Sequence, residues 1–130
     1  MSGYGFGKTL KGTLETIRPK VEDALKQQGF GILTEIDVKA TLKKKLDVDF
    51  VPYVILGACN PHLAHQALTI ETEIGLLLPC NVIIYQMDEG HVRVAVFDPK
   101  SGMALAANPK LDPIGTEAKR RLEAALESIQ

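Results

Sequence analysis

Tryptophan is absent from this sequence, and aromatic side chains are represented by only three tyrosines and four phenylalanines. Any hydrophobic core must therefore be mainly aliphatic. An excess of charge of one sign is missing as well: fifteen Lys and Arg face sixteen Asp and Glu, for a net charge of -1. That balance argues against nucleic-acid and anionic-membrane partners, which need a basic surface. Long apolar runs are lacking too. The longest, Ile74 to Ile84, is broken by Pro79 and falls well short of the ~20 residues a membrane helix requires. The N-terminal Met-Ser-Gly-Tyr-Gly-Phe-Gly-Lys carries no apolar stretch of a secretory signal, so a cytoplasmic location is expected. Cysteine occurs only at Cys59 and Cys80, and in that compartment both thiols should stay reduced.

The 130 residues, 45% hydrophobic and 24% charged, have the proportions of one globular domain over 1–130, large enough to fold without a disulfide or metal staple. One absence is local. No Lys or Arg lies between Lys45 and Arg93, a stretch that holds six acids, both cysteines, and His62 and His65. Candidate chemistry is concentrated there.

Alternation of Tyr4, Phe6, Lys8 and Leu10 with small residues predicts a first strand. A helix follows, with Ile17, Val21, Ala24 and Leu25 at helical spacing and Gly29 at its left-handed C-terminal cap. Thr16 is the expected N-cap, since this keeps Pro19 in the first turn, where its missing NH costs little. Residues 31–38 predict a second strand with Ile32, Thr34, Ile36 and Val38 on one face. Val38, Leu42 and Leu46 then recur every four residues, as in a short amphipathic helix whose remaining circumference carries lysines. A third strand is predicted over Pro52 to Ala58. Asn60-Pro61 announces another short helix, as asparagine favours the N-cap and proline the first helical position. Asp88-Glu89-Gly90 joins two strands in a hairpin, with Val92, Val94 and Val96 on one face and Arg93, Ala95 and Phe97 on the other. Asp98 to Gly102 reads as a turn leading into irregular chain. A final helix is expected from about Pro113 to Ser128. The order predicts an α+β sandwich with helices collected on one face of a mixed, mainly antiparallel sheet, two of the helices being short insertions.

Gly7-Lys8-Thr9 resembles the end of a phosphate-binding loop, but the glycine required five residues earlier is Ser2. A packed strand is the better reading. In Cys59-Asn60-Pro61-His62-Leu63-Ala64-His65, a helix starting at Asn60 would put Cys59 at the positive end of its dipole, which favours a thiolate. The ordinary alternative is a cysteine packed as a small hydrophobe. His62 and His65 share a helical face. With Cys59 and Cys80 they make four ligands that could close a zinc or other transition-metal site, although two solvent-facing histidines are the simpler account. Glu35 and Asp37 share a strand face, where a half-buried acid could have a raised pKa. Such acids more often meet solvent or a nearby cation.

Three segments, Gly29-Phe30-Gly31-Ile32-Leu33-Thr34-Glu35-Ile36-Asp37-Val38, Tyr53-Val54-Ile55-Leu56-Gly57-Ala58-Cys59-Asn60-Pro61 and Gly75-Leu76-Leu77-Leu78-Pro79-Cys80-Asn81-Val82, closely resemble the family called domain of unknown function 302. The resemblance covers nearly the whole chain. It implies a β-α-β(4)-α two-layer sandwich similar to the TATA-binding-protein-like class, and it places the chain in a cysteine-containing subgroup. It implies no catalytic residues. The expectation is a non-enzymatic binding module that takes a metal ion or small ligand at Cys59, Asn60, Pro61 and Cys80. Its alternatives are a thiol-dependent redox protein or enzyme and a self-associating structural domain. A homodimer is expected, with the Ile74 to Leu78 segment as the candidate interface.

Overall fold

The computed structural model describes residues 3–130. Five strands, β1 (Gly5–Lys11), β2 (Gly31–Asp37), β3 (Tyr53–Cys59), β4 (Cys80–Asp88) and β5 (His91–Phe97), form one sheet in the order β1-β5-β4-β3-β2. All four neighbouring pairs are antiparallel, so the sheet is not mixed. Helices α1 (Leu14–Gln27), α2 (Val38–Leu46), α3 (Pro61–Ile70), α4 (Pro99–Leu105) and α5 (Asp112–Glu127) complete the α+β architecture, with a 3-10 turn over Thr72–Leu77. Without the short α2, α3 and α4, the order is β-α-β-β-β-β-α.

The core follows from two periodicities. Every second residue of the central strands is buried, including Val54, Leu56, Val82, Ile84, Val92, Val94 and Val96. Against them lie Ile17, Val21, Ala24 and Leu25 of α1 and Ala118, Leu122, Ala125 and Leu126 of α5. Helical spacing in the sequence anticipates the α1 set, and strand alternation anticipates Val92, Val94 and Val96.

Helix α1 starts one turn before the expected point. Thr13 is the N-cap, and Thr16 instead closes a capping box with it, its hydroxyl accepting from the Thr13 amide at 3.0 Å. Pro19 thus lies inside the helix. Glu15, whose carbonyl loses its helical partner, is exposed, so water can satisfy the freed acceptor. The other end matches expectation: Gly29 has φ +83°, its amide donates to Lys26, and the Phe30 amide reaches back to Leu25, which is a Schellman closure.

Strand β2 departs from simple alternation. A register shift between Ile32 and Thr34 makes Leu33 a bulge, so Ile32 pairs with buried Ala58, while Thr34 and Ile36 pair with Gly57 and Ile55. The expected single face of Ile32, Thr34 and Ile36 is therefore split. Helix α2 has the expected bounds but buries none of its residues.

The segment from Asp98 is also more regular than a turn. Asp98 accepts from the Lys100 amide at 2.9 Å and caps α4, whose first residue is Pro99. Lys119 of α5 donates to the second Asp98 oxygen at 3.0 Å, and its ammonium stands 5.8 Å from the centre of the Phe6 ring. These contacts join α4, α5 and β1 at one end of the sheet. No helix among the described residues is long and apolar enough to cross a membrane.

Candidate functional site

Strand β3 ends at Cys59 and β4 begins at Cys80. Antiparallel pairing puts Cys80 opposite Ala58 and Cys59 opposite Gly31 on the other side of β3. Asn60 follows at once and is buried, with Oδ1 accepting from the Leu63 amide at 3.2 Å to cap α3. The two thiols and Asn60 line one narrow cleft of about 40 Å³ that is open to solvent. Leu63, Ala64 and Ala67 of α3 form one wall, Met103 of α4 with Gly115 and Ala118 of α5 another, and Leu78 and Pro79 lead into Cys80. The surface the cleft presents is carbon and sulfur.

Of the residues singled out in the sequence, the structure brings Cys59, Asn60 and Cys80 together. Pro61 begins α3 as expected but does not line the cleft, and His62 and His65 are exposed outside it. Among the described residues, no group of three or more His, Cys, Asp or Glu side chains converges in a way that could hold a metal ion. The four-ligand arrangement is not assembled, because α3 turns its histidines away as it packs Leu63 and Ala67 inward.

Both cysteines are free thiols. Burial pushes the Cys59 thiol up. Cys80, more deeply enclosed, is pushed up to about 11 by burial, with the neighbouring Cys59 as a smaller second cause. The direction opposes the thiolate expected at a helix N-terminus. Nor does that terminus offer a ready anion cradle. Pro61 has no NH, the Leu63 amide is taken by Asn60 Oδ1, and the Ala64 amide by the Asn60 carbonyl.

The remaining candidates have structural partners. Lys8 lies within β1 and donates to the carbonyls of Leu126 and Ile129 at 2.8 and 2.7 Å, where it meets the negative end of α5. Glu35 receives a two-pronged bond from Arg18 at 2.7 and 2.6 Å. The Arg18 hydrogen bond holds its carboxyl below the ordinary range, the opposite of a raised general acid. Asp37 caps α2 by accepting from the Ala40 amide.

The walls contributed by α4 and α5 were not anticipated. Their signal is a pair of close-packing glycines. A Cβ on Gly115 would lie 3.0 Å from Met103 Cγ, and one on Gly102 would lie 2.7 Å from the Phe97 ring, so α4 is pressed tightly against its neighbours.

A five-stranded antiparallel sheet backed by two long helices, with a cleft where β3 and β4 meet three shorter segments, defines a two-layer α+β protein. Residues 6–129 match the family described as Domain of unknown function DUF302, and the chain belongs to that family. It is similar to the protein in the "Crystal structure of uncharacterized conserved protein DUF302 from Bacillus stearothermophilus", at 28% identity and a TM-score of 0.90, over 99% of this chain and 100% of that one. No curated protein matches the chain.

Proposed function

We propose that this chain is a non-enzymatic binding module whose cleft takes the apolar end of a small molecule between β3, β4 and α3. The observation that carries the reading is the cleft's lining: apolar side chains and two protonated thiols, with the one polar side chain, Asn60, committed to capping α3. Ligand pockets are mostly apolar, with few polar groups for orientation. Metal capture is the weaker version, because only two sulfur donors line the cleft and both histidines project elsewhere. Thiol catalysis is weaker still, since burial disfavours the reactive thiolate.

Small apolar probes test the reading. Titration of 15N-labelled protein with benzene and with 1-hexanol should give saturable amide shifts at Cys59 to Ala64 and Met103 to Ala118. Ala64→Phe, which fills the cleft from its half-buried wall, should abolish them. Unsaturable shifts, or identical shifts in the filled variant, would refute the assignment. Stabilisation by added zinc that requires both Cys59 and Cys80 would favour the metal version instead.

A further inference from the structure

Capping α3 uses only half of the Asn60 side chain. Oδ1 accepts from the Leu63 amide at 3.2 Å, whereas Nδ2 donates to nothing among the described residues. Asn60 is only 4% exposed, and an enclosed amide nitrogen without an acceptor gives up hydrogen bonds it would make in water. No described side-chain nitrogen or oxygen that is shut off from solvent lacks a partner, so Nδ2 still touches water. It is turned toward Gly29: the position a Cβ would take there lies 2.9 Å from Nδ2 and 3.9 Å from Cγ of Asn60. The same position lies 3.5 Å from Nη1 of Arg121. Two donors from different helices thus flank a space that Gly29, having no side chain, leaves open.

Arg121 is equally underused. Its Nε donates to Glu117 Oε2 at 2.6 Å, and neither terminal nitrogen has a hydrogen-bond partner among the described residues. Glu117 is shared, since Arg120 also grips it with bonds of 2.9 and 2.6 Å. Two guanidiniums and one carboxylate leave one positive charge uncompensated. Closing α1 does not occupy Arg121 either. The Leu25 and Lys26 carbonyls accept from the amides of Gln28, Gly29 and Phe30, and Arg121 bonds neither. Its side chain is 32% exposed, so its terminal nitrogens can be reached from solvent. The two donors stand at the mouth of the cleft. Phe30, which follows Gly29, lines it, as does Ala118, three residues before Arg121 and on the same face of α5.

We infer that the cleft takes a short-chain carboxylic acid as its anion, the tail inside the cleft and the carboxylate held between Arg121 and Asn60. This rests on the apolar reading of the cleft proposed above and adds the head group to it. A guanidinium and an amide NH are both pure donors, and a carboxylate offers them two acceptor oxygens. One uncompensated charge matches a monoanion better than a doubly charged phosphate. Size sets the tail. A cleft of about 40 Å³, against the ~10–15 Å³ that one water needs, has room for about three carbon-sized groups. Butanoate, with three carbons beyond its carboxylate, is the matching probe.

Titration of the 15N-labelled full chain with butanoate, 1-butanol and acetate at constant ionic strength tests this. Butanoate should bind about 10-fold or more tightly than 1-butanol, as expected for hydrogen bonds to a charged group, and should shift the Gly29 and Phe30 amides and the Arg121 Nε resonance. Acetate, with the head but little tail, should bind more weakly than butanoate. Arg121→Gln should bring the ratio of butanoate to butanol affinity close to one. Asn60→Asp keeps an oxygen to cap α3 but opposes the carboxylate, and should invert the ratio. Arg93→Gln, on β5 and outside the cleft, should preserve it. Circular dichroism of each variant confirms that it is folded. Should Asn60→Asp unfold, Arg121→Gln, at a partly exposed position, carries the test. Equal affinities of the parent for butanoate and 1-butanol, or a ratio that Arg121→Gln leaves intact, overturn the inference while the apolar reading of the cleft stands. Acetate binding as tightly as butanoate would show a bare anion site and overturn it too. Absence of saturable shifts from both butanoate and 1-butanol removes the inference together with the reading beneath it.

Discussion

A Cβ placed on Gly29 would lie 2.9 Å from the side-chain nitrogen of Asn60. The C-terminal closure of α1 and the N-terminal cap of α3 are thus pressed against each other at the mouth of the cleft. Gly29 is constrained twice, by its φ of +83° and by this contact. Gly29→Ala should cost about 1–2 kcal/mol from the backbone alone, with the collision adding to it. Gly31→Ala, two residues on and with open space around its Cβ position, should be nearly neutral by comparison. Urea denaturation of the two variants checks the contrast, and equal losses would show that the Gly29 geometry is not a constraint.

Asp98 ties pH to stability. Burial alone would raise its carboxyl, but the hydrogen bond from Lys119 and the amide of Lys100 outweigh burial and hold it below the ordinary aspartate range. A carboxyl lowered by folding contributes stability above its unfolded value of ~3.9, and that contribution is lost as pH falls through the folded value. Asp98→Asn keeps a capping oxygen and loses the charge. It should be less stable than the parent at pH 7, with the gap closing as pH falls below the unfolded value of ~3.9 and through the lower folded one. Urea midpoints at pH 7, 4 and 2.5 measure this, and a gap that persists at the lowest pH would remove the ion pair as its cause.

The thiols should be slow nucleophiles at neutral pH. With Cys80 held near 11, its thiolate fraction at pH 7.4 is roughly 100-fold or more below that of an ordinary cysteine at ~8.5. Iodoacetamide should label Cys59 faster than Cys80, and the Cys80 rate should still be rising above pH 10. Because both pKa values are raised on folding, stability should also fall as pH climbs from ~8.5 through the folded values. Rapid labelling of either residue with a midpoint below 8 would revive the redox reading.

Much of this fold is written in local periodicity. Ile17, Val21, Ala24 and Leu25 repeat as a helix must, and the β4–β5 hairpin shows its two faces residue by residue. Local rules give way where tertiary context competes with them. Pro19 marks a helix start by the local rule, yet the helix runs through it where Glu15, whose carbonyl loses its partner, is exposed. The bulge at Leu33 depends on pairing with β3, which no residue within β2 reveals. Helix α4 is a different case, because Asp98-Pro99 carries the same cap-then-proline signal as Asn60-Pro61 and was legible. The cleft was half visible. Cys59 and Asn60 are adjacent and Cys80 shares their stretch without Lys or Arg, whereas Met103, Gly115 and Ala118 reach the cleft only through the packing of α4 on α5.

The bulge at Leu33 has a consequence for how the chain survives at high concentration. Strand β2 is an edge strand containing Ile32, Thr34 and Ile36, and among the described residues no strand pairs with its outer side. A straight edge of that composition would template the addition of further chains into a growing fibril. The register break interrupts the ladder after Ile32 and increases the local twist, so an incoming strand cannot stay in step along it. One misaligned residue thereby makes open-ended stacking at this edge unfavourable.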